Sequence, residues 1–152
     1  MAQGDYPSLR PRPFEAAGPP GLPVPPPPPA PPASAEIVSR VADLVRRAEN
    51  GQAAFARALP AARAAVGRAG AADSESWIAA QEAVSGLDAA REPTASAMAE
   101  LDALNASGVN AAGLRFGNND FAAIRAAGER VYALVQGQQR ALDALSASLA
   151  KP

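Results

Sequence analysis

Thirteen of the sixteen prolines in this chain fall within the first 32 residues. Each proline fixes φ and removes an amide donor, so the stretch GPPGLPVPPPPPAPP belongs neither in a helix interior nor in a sheet ladder. The sequence therefore divides into an arm over 1–33, expected to be disordered or polyproline II, and a body over 34–152 with different physics. At about 3.1 Å per residue, Gly18–Ala33 spans roughly 50 Å as a semi-rigid spacer.

The body reads as all-α. Val41, Leu44, Ala48, Gly51, Phe55, Leu59, Ala62 and Val66 recur at steps of three and four and form one stripe, behind a Ser34 cap and before stops at Gly67 or Gly70. Trp77, Val84, Leu87, Met98 and Leu101 mark a second helix after an Asp73 or Ser74 cap, with Gly108 as a left-handed stop. A turn over Leu114–Asn119 then leads, through an Asn118 or Asn119 cap, to Ile124, Gly128, Val131, Val135, Gln138, Leu142, Leu145 and Leu149. The predicted helices are 35–69, 74–106 and 119–150. Similar lengths and short connections predict an antiparallel up-down-up three-helix bundle of long helices, kinked at Pro60 and Pro93.

Forty alanines against only 28 Leu, Ile, Val and Phe make the expected core thin and Ala-lined. Net charge runs +3 over 34–69, −6 over 73–106 and +2 over 114–151, so an acidic middle helix is expected to pair with a basic neighbour on either side. Exposed pairs contribute only about 0.2–1 kcal/mol each, which favours correct neighbours more than it adds stability.

Little catalytic chemistry is available. With no Cys and no His, thiolate and imidazole metal ligands and His-based nucleophile pairs are excluded, and no phosphate-loop, dinucleotide, calcium-loop or hydrolase motif is present. Glu75, Glu82, Glu92, Glu100 and Asp102 are spread along one helix and read as a solvated face. The arginines form no basic cluster interleaved with aromatics, and nucleic-acid binding is not expected. No catalytic, metal or cofactor residue is assigned. Phe55, Phe116, Phe121 and Tyr132 are read as packing or turn residues. Arg91 occupies the heptad position of Trp77, Val84 and Met98, so Arg91 and Trp77 are the candidate register or partner-contact residues of the body. In the arm, Arg10, Pro11, Arg12 and Pro13 resemble PxxP ligands of aromatic grooves, beside the simpler role of spacer.

Two segments, Gly4–Glu15 (GDYPSLRPRPFE) and Trp77–Thr94 (WIAAQEAVSGLDAAREPT), resemble the mature parts of small Ala-rich envelope lipoproteins of alphaproteobacteria. The resemblance implies a lipid anchor and a Pro-rich tether carrying a helical bundle on the periplasmic side of the envelope. The sequence contains no acylatable Cys, so this reading expects membrane attachment only through a leader or anchor upstream of Met1, and a cytoplasmic protein if Met1 is the true start. The function expected is a non-enzymatic structural or protein-interaction module, its partner another protein or a second copy. The alternative is a cytosolic adaptor whose arm is the ligand and whose bundle self-associates.

Overall fold

A computed structural model describes residues 28–150. Four helices follow one another: α1 (Ala35–Gly67), α2 (Glu75–Ala90), α3 (Glu92–Ser107) and α4 (Asn118–Leu149). The described residues form an all-helical bundle, apart from one isolated bridge between Val109 and Arg115 in the loop before α4. Pro28 to Ala33 have no regular secondary structure; the remainder of the arm lies outside the described residues.

Local chemistry sets the helix ends. Ser34 caps α1 by accepting from the Ile37 amide, and Ser74 caps α2 by accepting from the Trp77 amide, each satisfying a donor that the first turn leaves free. Gly108 ends α3 at φ 64°, where a side chain would be strained. Neither Asn118 nor Asn119 caps the last helix. That place falls to Gly117, whose amide donates to Asp120 Oδ2 at 2.9 Å, the reciprocal half of a capping box.

The expected middle helix is two helices. A single non-helical residue, Arg91, separates α2 from α3, and Pro93 occupies the first turn of α3, where its missing amide costs nothing. Pro60 behaves differently. Helix α1 runs through it without a break, and both Pro60 and Ala56, whose carbonyl loses its partner, are exposed, so water substitutes for the missing donor.

The core is layered. Ile37, Leu104, Phe116 and Ile124 close the end at which the arm enters. Next come Leu44, Ala48, Ala97, Leu101, Ala127 and Val131, a layer in which three alanines bring α1, α3 and α4 close together. Phe55, Ala62, Leu87, Leu142 and Leu145 fill the far end. On α2 and α3 the buried register is Ala80, Leu87, Thr94 and Leu101 rather than Trp77, Val84, Arg91 and Met98, which are only half-buried. The two registers differ by three residues. Hydrophobicity along the sequence favours the half-buried one because two members of the buried one are Ala and Thr.

Cross-helix charge pairing follows the expected pattern on one side only. Arg47 of α1 meets Glu100 of α3 at 2.5 Å. Arg130 of α4 pairs instead with Glu49 of α1, so the two basic helices bind each other. Among the described residues no ion pair links α4 to the acidic α2 or α3.

Candidate functional site

Two constellations stand out, one buried and one open. The buried one lies between the second and third core layers. Gly51 of α1 faces Thr94 of α3, and Thr94 Oγ1 donates to the Ala48 carbonyl at 3.1 Å. Gln138 of α4, only 1% exposed, donates from Nε2 to Thr94 Oγ1 at 3.2 Å and to Gln52 Oε1 at 3.0 Å. One polar network thus ties α1, α3 and α4 at the height of the α2–α3 break. Gln138 Oε1 is buried with no partner among the described residues, so one acceptor of the network is unsatisfied.

Arg91 borders this layer without entering it. Its Nη1 reaches Gln139 Oε1 on α4 at 2.5 Å and Asp88 at 3.5 Å, with its side chain 20% exposed. The buried polar contacts at this height are made by Thr94 and Gln138, and Arg91 reaches α4 from the rim. Trp77 is half-buried on the first turn of α2 and distant in sequence from both constellations. Arg10, Pro11, Arg12 and Pro13 lie outside the described residues.

The open constellation is a groove of about 390 Å³ between α3 and α4. Met98, Leu101, Ile124 and Gly128 line its apolar part, and Phe121 and Tyr132 flank it. Phe121 is 38% and Tyr132 54% exposed and so both stand outside the buried core, whereas Phe55 and Phe116 are buried. Phe121 is held edge-on against Phe116, with ring centroids 5.5 Å apart. Val109 and Leu114, both exposed, sit in the loop just before α4. Asp102, Arg125 and Glu129 rim the groove, and among the described residues none of them is in an ion pair.

The arm's root is fixed at the start of α4. Asn119 Nδ2 donates to the Pro31 carbonyl at 2.5 Å, and the Ser34 amide donates to Asp120 Oδ1 at 2.7 Å. The Ser34 amide, seconded by that of Gly117, holds the Asp120 carboxyl below the usual carboxylate range. Glu36 Oε1 likewise accepts from the Ala111 amide and ties α1 to the loop before α4.

Sequence reasoning passes over Asp120, Thr94 and the groove. A polar residue in a helix gives no sign of the cross-helix donor it will meet, and a groove exists only between two elements. Among the described residues, no three carboxylates come together as a cation site, and no helix is long and apolar enough to cross a membrane. No family model matches the chain, and no curated protein or solved structure matches it.

Proposed function

We propose that this chain is a non-enzymatic protein-interaction module of a bacterial cell envelope. In this reading the helices form an up-down-up bundle in which α2 and α3 together make the middle leg, bent at Arg91–Pro93. The Pro-rich arm positions the bundle, and the groove between α3 and α4 receives a protein partner. The observation that carries the proposal is the groove, where two exposed aromatic rings and charges of both signs surround an apolar floor. Surfaces of this kind bury little in the monomer and gain most on association. The order of residues through the core layers supports the up-down-up path, since Ile37 meets Leu104 and Ile124 while Phe55 meets Leu87 and Leu142. The envelope placement rests on the resemblance of Gly4–Glu15 and Trp77–Thr94 to small envelope lipoproteins.

A photo-crosslinking residue at position 132 of the full chain tests the groove, with position 78 as control, because Ile78 is exposed on α2 and outside the groove. Expressed in the native cell, position 132 is expected to give a discrete protein adduct that position 78 does not. Identical labelling at the two positions would mean that the groove is not the contact surface. Fractionation tests the compartment separately, and recovery of the native protein in the cytosol would overturn the envelope placement.

A further inference from the structure

Phe121, Arg125, Gly128 and Tyr132 recur at steps of four, three and four along α4, which at about 100° per residue places them within an arc of roughly 60°. All four line the groove between α3 and α4. Their order is self-complementary. The midpoint between Phe121 and Tyr132 is also the midpoint between Arg125 and Gly128, and it lies half a residue from the midpoint between Arg125 and Glu129. We propose that the partner received by this groove is a second copy of the chain, docked by antiparallel pairing of α4 with α4 about a two-fold axis at that point. This inference rests on the reading of the groove as a protein-binding surface and names what it binds.

In a two-fold pair, each contact made by residue i with residue j of the other copy is repeated by j with i. Phe121 then meets Tyr132 of the second copy and Tyr132 meets its Phe121, two aromatic contacts set about 16 Å apart along the helix at 1.5 Å per residue. Both rings are exposed, and Phe121 is already held edge-on against Phe116, so it loses little freedom on docking. Met98, half-buried on α3, lies in the same groove, and the pairing turns the two grooves toward each other and covers the apolar floor of both.

Charge selects the antiparallel direction. Between the aromatic contacts, Arg125 crosses Gly128 of the second copy, where no side chain blocks it, and ends beside Glu129 of that copy. Nothing in the chain itself comes within 4 Å of a Cβ placed at Gly128, so packing within one copy does not call for a residue that disfavours the helix. Arg125 and Glu129 are both exposed, and among the described residues neither is in an ion pair. The two-fold gives each of them a partner of opposite sign, twice over. Parallel pairing in the same register would instead set Arg125 against Arg125 and Glu129 against Glu129. An unrelated partner would have to present this pattern in reverse, whereas a second copy already carries it.

Sedimentation equilibrium of the full chain tests the pairing, one copy being 15.4 kDa. A concentration-dependent dimer is expected. R125E leaves only acids at the reciprocal contact and E129R only bases, so each should weaken dimerisation by about tenfold or more. Dimerisation should return in R125E/E129R, and it should also return when R125E and E129R chains are mixed in equal amounts, because each then supplies the charge the other lacks. A monomer at every concentration, a dimer indifferent to both reversals, or a mixture no tighter than its parts would overturn the proposal. The position-132 adduct separates this inference from the reading on which it rests. An adduct between two copies of the chain supports both, whereas an adduct to a different protein keeps the groove as the contact surface and overturns the second copy as its occupant.

Discussion

Alanine at Gly51 and alanine at Gly137 are the same covalent change inside two long helices, yet packing gives them opposite signs. Helix propensity favours Ala over Gly by about 1 kcal/mol at either position. A Cβ at Gly137 would meet nothing within 4 Å, so the gain is realised, and G137A is expected to be more stable by about 0.5–1 kcal/mol. A Cβ at Gly51 would stand 2.6 Å from Thr94 Oγ1, 3.0 Å from Thr94 N and 3.2 Å from Pro93 Cβ. The hydroxyl is tied to Ala48 and Gln138, and the amide donates to the Arg91 carbonyl at the start of α3. Neither retreats without moving α3 away from α1. Overpacking of a tight core costs about 1–3 kcal/mol, which after the propensity gain leaves G51A less stable by up to about 2 kcal/mol. Urea unfolding of the full chain followed by far-UV circular dichroism measures both, provided the transition slopes agree. G51A as stable as G137A would refute the close approach of α1 and α3 at this layer.

Three further outcomes are expected. Replacing Gln138 by Leu removes a buried acceptor that has no partner, so Q138L should be at least as stable as the parent, by up to about 1 kcal/mol, but should show more than one set of core amide resonances once its cross-helix hydrogen bonds are gone. Phe55→Ala empties the largest buried position of the far layer and should cost about 3–5 kcal/mol in the same urea assay, a large share of the 5–15 kcal/mol typical of a domain. Asp120 has its carboxyl lowered from the ordinary 3.8 in the folded state, so its contribution is complete above that value and is lost as pH falls through the lower folded value. Protection of the Ser34 and Gly117 amides, taken relative to the intrinsic exchange rate at each pH, should therefore fall in acid, and D120N should show weakened protection at neutral pH as well.

The helical stripes of α1 and α4 are legible in the sequence because their large residues repeat at the spacing of a helix face. Phe55, Val131 and Leu142 are all buried where that spacing places them. The middle leg misleads for the opposite reason. Its true seam runs through Ala80 and Thr94, residues whose burial gains little by hydrophobic transfer and follows only from a small partner across the interface. Arg91 stands out as an anomalous charge in a heptad, and it marks the right height, but the helix break carries it to the rim while Thr94 takes the interior place.

The distribution of prolines separates arm from body, and the periodicity of the body makes it helical, because both are properties of consecutive residues. Caps at Ser34 and Ser74 and the stop at Gly108 belong to the same class, each acting within one turn. Tertiary structure alone decides the rest. Gly51 needs Thr94 opposite it to have a sign, Gln138 needs Gln52 and Thr94 to tie three helices together, and Asp120 needs the Ser34 amide from 86 residues away to anchor the arm. Phe121 and Tyr132 are exposed because α3 and α4 leave a groove between them, a fact of two surfaces that no single stretch of chain contains.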